Sequence, residues 1–67
     1  MLISIAREYL EVIDRMLNER SISRQELYRL ESERVLLHQQ LRELLGYEPT
    51  VAQVRALVLA AQAGGDY

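Results

Sequence analysis

The sequence contains no cysteine, lysine, tryptophan or phenylalanine, and it has one histidine and one proline. Without cysteine, disulfide bonds and thiolate metal sites are excluded. A single histidine is too few for the usual zinc sites, which combine several histidine, cysteine or carboxylate ligands. We therefore expect neither a bound metal nor a cofactor.

The patterns that accompany catalysis are also missing. The chain has no glycine-rich loop to hold a phosphate and no nucleophile at a fixed spacing from a base. His38 could act as a general base or a pH switch, but a lone histidine is more often a residue on a helix surface. The paired carboxylates Glu8/Glu11 and Glu31/Glu33 fall on faces that we expect to be solvated. We predict that the protein is not an enzyme.

Charge of one sign and long apolar runs are both scarce. The formal net charge is −2, and neither end is strongly basic or acidic, which disfavours bulk attraction to nucleic acid. No stretch approaches the ~20 apolar residues of a membrane span. The N-terminus also lacks the basic region and apolar core of a signal peptide. We expect a cytoplasmic protein with no membrane partner.

Length sets a further limit. A chain of 67 residues forms one domain at most, and a domain of about 60 residues buries only ~60% of the surface that its unfolded chain exposes. Domains of this size often depend on a partner for stability. We read residues 1–63 as a single helical domain and residues 64–67 as a flexible tail.

The clearest local pattern is the start of a second helix. Ser23 is a typical N-cap, Glu26 follows at the spacing of a capping box, and Gly46 is a typical C′ residue. We predict a helix over about 23–45, around which the rest of the chain would be organised. Its apolar seam is a series of leucines interrupted by Arg34.

The first helix, predicted over about 3–20, has a wide apolar face. In a heptad with Ala6 at position a, positions a, d, e and g are apolar almost throughout, and positions b, c and f are polar. This face is wider than one antiparallel neighbour covers, because a two-helix seam needs only positions a and d. A second contact is expected from the third helix, from another copy of the chain or from a different protein.

A third helix is predicted over about 50–63, with Thr50 as its N-cap and Gln53 completing a second capping box. Among residues 51–63, only Gln53, Arg55 and Gln62 are polar. A helix that is apolar on all sides is either buried or available to a partner.

These elements predict an all-α fold, in which an antiparallel helical hairpin carries a short third helix across its open end. Because the apolar surface exceeds what one hairpin buries, we expect a homodimer that forms a helical bundle. The residues predicted to mediate self-association are Ile5, Tyr9, Val12, Ile13, Met16, Leu37, Leu41 and Leu44.

A basic stripe along the second helix is one candidate binding surface. Arg34, His38 and Arg42 are spaced four residues apart. The stripe either docks phosphates or an acidic partner helix, or it is solvated and neutralised by Glu31 and Glu33. The second alternative is the more common arrangement on a helix that carries both signs of charge.

Arg34 also occupies a seam position. It either extends its guanidinium into solvent or fixes the register of a helical assembly, which requires a carboxylate such as Asp14 or Glu11 opposite. Tyr28 and Tyr47 lie off the main seam, where tyrosine often contributes to protein interfaces. The residues predicted to bind a partner are Tyr28, Arg34, Val35, His38, Arg42 and Tyr47.

Three classes of function follow from these patterns. The first is a small adaptor, inhibitor or anti-activator that binds a larger protein through an exposed helical face. The second is an obligate subunit or chaperone of a larger assembly, docked through the third helix. The third, a nucleic-acid-binding hairpin dimer, is disfavoured by the negative net charge and the lack of a lysine-rich face. Stand-alone regulators of this size are common in bacteria and phages, which is an analogy of size and fold alone.

Overall fold

The protein consists of three α-helices. The computed structural model describes residues 1–18 and 21–64, and none of these residues belongs to a β-strand. Helix α1 spans Leu2–Asn18, α2 spans Arg24–Leu45 and α3 spans Val51–Gly64. The predicted all-α class is confirmed.

The observed helix ends differ slightly from the predicted ones. Helix α1 begins at Leu2, and the last two residues predicted for it, 19–20, lie outside the described residues. Helices α2 and α3 each begin one residue after the predicted N-cap, because a cap residue is not itself helical. Helix α3 includes Gly64, which the sequence pattern placed in the tail. The other tail residues, 65–67, lie outside the described part of the chain.

Side chains at both predicted N-caps bind the first turn of their helices. Oγ of Ser23 accepts a hydrogen bond from the backbone N–H of Glu26 at 3.2 Å. At α3 the bonds are reciprocal, since Oγ1 of Thr50 accepts from the N–H of Gln53 at 3.2 Å and Oε1 of Gln53 accepts from the N–H of Thr50 at 2.9 Å. The capping box at Thr50 therefore pairs two backbone donors, whereas Ser23 pairs one.

Gly46 ends α2 in the left-handed conformation. Its φ is 80°, and its N–H donates to the carbonyl oxygen of Arg42 at 2.9 Å. A Cβ added to Gly46 would meet no atom within 4 Å, so the cost of a side chain comes from the backbone conformation alone. We expect Gly46→Ala to lower the free energy of unfolding by about 1–2 kcal/mol, measured by urea denaturation.

Gly64 offers a matched control for this substitution. A Cβ there would also meet no atom within 4 Å, but Gly64 is helical and its φ is not positive. Gly64→Ala should change the free energy of unfolding by no more than about 0.5 kcal/mol. Equal losses in the two variants would show that the left-handed backbone at Gly46 is not the cause.

The apolar core lies where α1 meets the other two helices. Its buried members are Ala6 and Tyr9 of α1, Leu41 of α2, and Val54 and Val58 of α3. Helix α1 contacts both α2 and α3, whereas, within the described residues, no Cα atom of α2 lies within 8 Å of one in α3. Helix α1 is therefore the central helix of the fold.

This arrangement differs from the prediction that the chain is organised around α2. The wide apolar face of α1 explains the difference, because α2 covers one part of that face and α3 covers another. The second contact that the pattern of α1 required is supplied by α3 of the same chain. Leu17, at the C-terminal end of the face, remains 73% exposed.

Candidate protein-binding surfaces

The outer face of α2 is the most exposed part of the predicted partner-binding set. Tyr28, Val35 and Arg42 follow one another at intervals of seven residues, so they lie along one side of the helix, which we call the outer face. Tyr28 is 76% exposed and Val35 is 51% exposed, and Arg42 is exposed as well. Tyr47, in the connection to α3, is 48% exposed. These four residues are accessible to a partner.

Arg34, by contrast, has a partner on its own helix. Its Nη2 atom lies 4.0 Å from Oε1 of Glu31, and its side chain is 34% exposed. Among the described residues, neither Asp14 nor Glu11, the carboxylates that the register alternative required, lies within 4.0 Å of the Arg34 guanidinium. An i, i+3 pair forms within a single helix and needs no particular register between helices. Arg34 is therefore partly neutralised by a neighbour in sequence.

His38 lies against α1 and is oriented by its own chain. Its ring centroid is 5.9 Å from that of Tyr9, with an angle of 47° between the planes. Nε2 lies 3.7 Å from Oε1 of Glu48. Nδ1 is buried, and no hydrogen-bond partner reaches it among residues 1–18 and 21–64. His38 is thus less available to a partner than Arg42.

The predicted self-association residues lie mostly in the core or at its edge. Tyr9, Val12 and Leu41 are buried within the single chain, and Leu44 is 49% exposed. The half-buried members of the set are Ile5, Ile13, Met16 and Leu37. A second copy of the chain would contact only the exposed parts of this set, unless the helices rearranged.

A groove between α1 and α2, not predicted from the sequence, has a volume of about 870 Å³. Its apolar lining comes from Val12, Leu36 and Leu37, of which Leu36 is 61% exposed. Its polar lining consists of Glu8, Glu11, Asp14, Arg15, Glu33 and Gln40. Carboxylates thus outnumber basic groups, and we call this feature the acidic groove.

Most of the negative charge in the acidic groove is not neutralised by ion pairs. Oε1 of Glu33 lies 3.8 Å from Nε of Arg29, but both side chains are well exposed, and such surface pairs are weak. Within the described residues, no basic group lies within 4.0 Å of the carboxylates of Glu8, Glu11 or Asp14. The groove therefore presents an excess of negative charge beside exposed apolar surface.

The groove could not be predicted from the pattern of either helix alone. Glu8, Glu11 and Glu33 fall on faces that were predicted to be solvated, and all three residues are exposed. The groove exists because those faces meet where α1 and α2 pack. The available signal was the position of Glu8 and Glu11 beside Val12 on one side of α1, with Leu36 and Glu33 on one side of α2.

A smaller depression of about 340 Å³ lies beside the outer face of α2. Its lining residues are Arg24, Leu27, Tyr28 and Glu31. Leu27 is 43% exposed. Apolar surface beside Tyr28 therefore extends toward the N-terminal end of α2.

Among residues 1–18 and 21–64, no group of three or more histidine, aspartate or glutamate side chains is placed to hold a metal ion. No described helix combines the length and the apolar character needed to cross a membrane. The chain matches no protein-family model, no curated protein and no solved structure. We infer its function from the exposed surfaces and the acidic groove.

Proposed function

We propose that the protein is a non-enzymatic protein–protein interaction module, which acts as a small adaptor, inhibitor or anti-activator of a larger protein. The outer face of α2 is the proposed contact. The observation that carries this proposal is the exposure of Tyr28 and Val35, 76% and 51%, on a helix whose other side buries Leu30 and Leu41. Helix α2 therefore has apolar residues on a side that the fold does not use.

The residue types on the outer face suit a protein interface. Tyrosine and arginine are enriched among the residues that contribute most to binding energy, and Tyr28 and Arg42 stand at the two ends of this face. Fully burying an exposed valine contributes about 1.5–3 kcal/mol, and Val35, which is 51% exposed, offers about half of that to a partner. The depression beside Tyr28 adds a place where a partner side chain can pack.

We further propose that α1 and α2 form an antiparallel hairpin that holds the outer face rigid. The connection between Asn18 and Arg24 is short, which favours antiparallel neighbours. Tyr9 lies beside His38, whereas Arg15, further along α1, shares the acidic groove with Glu33, which comes earlier in α2. Opposite directions along the two helices are what a hairpin requires.

A second candidate is self-association, or docking into a larger assembly, through α3. Leu59 is 65% exposed on this helix. The other exposed apolar residues of α3 are Ala52, Ala56, Ala60 and Ala63. Small side chains permit close helix approach, and this side of α3 supports the homodimer and the obligate-subunit alternatives. A nucleic-acid-binding function has less support, because Arg34 and His38 of the basic stripe each lie beside a carboxylate.

The test of the proposed function is partner recovery by the affinity-tagged protein in a lysate of its source cells. We expect Tyr28→Ala/Val35→Ala to reduce recovery of the bound protein by at least about tenfold, because truncating a tyrosine that anchors an interface costs about 2 kcal/mol or more, and about 1.4 kcal/mol is a tenfold change in affinity. The helicity measured by circular dichroism should stay unchanged, since both residues are exposed.

Leu59→Ala is the matched control, because it truncates an exposed apolar residue on a different helix. It should leave partner recovery intact. Light scattering on the same samples separates the candidates: a dimer mass that falls only in Leu59→Ala favours association through α3. Unchanged recovery with Tyr28→Ala/Val35→Ala would contradict the proposed contact.

A further inference from the structure

The contact between α1 and α2 is covered on one side and open on another. Helix α3 places Val54 and Val58 against Ala6, Tyr9 and Leu41. The acidic groove is lined by α1 and α2 only, and none of its lining residues belongs to α3. An elongated space between two packed helices is a place where a third helix packs well.

We propose that the acidic groove is the docking site for a basic amphipathic helix of a partner protein. This inference rests on the proposed function as an interaction module, and it names the chemical class of one partner segment. It concerns a surface distinct from the outer face, since Tyr28, Val35 and Arg42 do not line the groove.

The apolar lining of the groove requires an amphipathic occupant. Leu36 is 61% exposed, and it lies beside the less accessible Val12 and Leu37. Each helix contributes lining residues at intervals of three or four, so the apolar surface runs along the helix axes. An incoming helix with an apolar stripe covers such a surface in the usual helix-in-groove manner.

The charge of the lining determines the sign of the occupant. Glu8, Glu11, Asp14 and Glu33 face the groove, and Arg15 is the one basic residue among its lining residues. A neutral or acidic helix would remove water from these carboxylates without supplying partners, which is costly. Lysine or arginine flanking the apolar stripe of the occupant would instead form complementary pairs across the interface.

The length of the groove matches a short helical segment. Its lining residues fall within 8–15 on α1 and 33–40 on α2. Eight residues of α-helix extend about 12 Å, or a little over two turns. The contact therefore engages two to three turns of a basic helix, which is enough to position several lysine or arginine side chains beside the carboxylates.

A second copy of this chain fits the groove poorly. Each copy has a net charge of −2, so two copies repel each other at long range. The exposed side of α3 is apolar, but Arg55 is the only basic residue of that helix. We therefore assign the groove to a different protein, and self-association becomes an outcome of the test.

The test uses the whole protein and a fluorescein-labelled peptide of about 18 residues, with leucine on one helical face and lysine elsewhere. Fluorescence anisotropy should show binding that weakens when salt rises from about 50 to about 500 mM. We expect Glu8→Gln/Glu11→Gln to weaken binding by about tenfold, and Leu36→Ala to weaken it by a similar factor. A peptide with glutamate in place of lysine should not bind.

Glu31→Gln/Glu48→Gln is the matched control, because it also removes two negative charges, but from residues that do not line the groove. It should change peptide affinity by less than about twofold, since Glu31 lies on the side of α2 opposite to Glu33 and Gln40, and Glu48 lies between α2 and α3. Equal weakening by the two double variants, or binding of the glutamate peptide, would overturn the inference. So would a dimer mass in light scattering that Glu8→Gln/Glu11→Gln abolishes, since a second copy would then occupy the groove.

The result separates this inference from the proposed function. If the lysine peptide fails to bind while Tyr28→Ala/Val35→Ala still abolishes partner recovery, the groove inference fails alone. If the peptide fails and the outer-face variant recovers its partner normally, both proposals fail. If the groove variants weaken peptide binding and the outer-face variant has no effect on recovery, the groove inference holds and the outer-face contact is wrong.

Discussion

Replacing Leu41 by alanine is expected to lower the free energy of unfolding by about 3 kcal/mol. Leu41 is completely buried and is one of the two largest side chains without solvent exposure. It packs in the core with Ala6 and Tyr9 of α1 and with Val54 of α3, so truncation leaves a cavity where all three helices meet. A domain of this size has only about 3–5 kcal/mol of stability, and the variant should therefore be largely unfolded in mild urea.

Urea denaturation followed by circular dichroism measures this effect, and Leu36→Ala is its matched control. Both substitutions remove the same atoms from the same helix, but Leu36 is 61% exposed. Leu36→Ala should change the free energy of unfolding by about 0.5 kcal/mol or less. If the two variants lost equal stability, the burial of Leu41 within the monomer would be contradicted. The same Leu36 variant serves as a groove variant in the peptide experiment, because its effect on stability is expected to be small.

The helices were predictable because the signals that define their ends act over three or four residues. Ser23, Thr50 and Gly46 each bind a backbone or side-chain group within that distance. Such contacts depend on the spacing along the chain and on no other part of the fold. The same reasoning explains why the exposed position of Tyr28, away from the leucine seam, could be inferred from its place in the helical repeat.

The relative placement of the helices was harder to predict. The sequence showed that α1 needs a second contact, but a wide apolar face does not say which neighbour covers which part. Helix α3 is apolar on nearly all sides, so its pattern did not indicate that Val54 and Val58 would face the core. Small differences in packing energy decide which side of α3 faces the core and which part of α1 it covers. Those differences depend on shape complementarity between side chains.

The candidate sites also differ in whether they depend on one helix or on the packing of two. The ion pair between Arg34 and Glu31 forms within one helix, whereas the alternative pairing with Asp14 or Glu11, which the sequence left open, depended on the register between two helices. The acidic groove depends on that register entirely, because Glu8 and Glu11 come from α1 and Glu33 comes from α2. Individual exposed residues can be inferred from one helix, but a groove between two helices requires their packing.

Replacing Val54 by aspartate is expected to abolish the folded state. Val54 is completely buried against α1, and an unpaired carboxylate in that position costs several kcal/mol. The predicted result is loss of helical signal from the whole chain, because α3 covers Ala6 and Tyr9, which are also the contact points of α2. Far-ultraviolet circular dichroism, which reports α-helix content, measures the loss.

Ala56→Asp is the control, since it adds the same charge two residues away on the exposed side of α3. It should lower the free energy of unfolding by about 1 kcal/mol or less, mainly through the weaker helix propensity of aspartate. A different outcome for Val54→Asp is that the helical signal falls only by the share that the 14 residues of α3 contribute. That result would mean that α1 and α2 remain folded without α3, with the apolar face of α1 exposed in solution. A dimer mass of Val54→Asp in light scattering would then show that a second copy can replace α3 on α1.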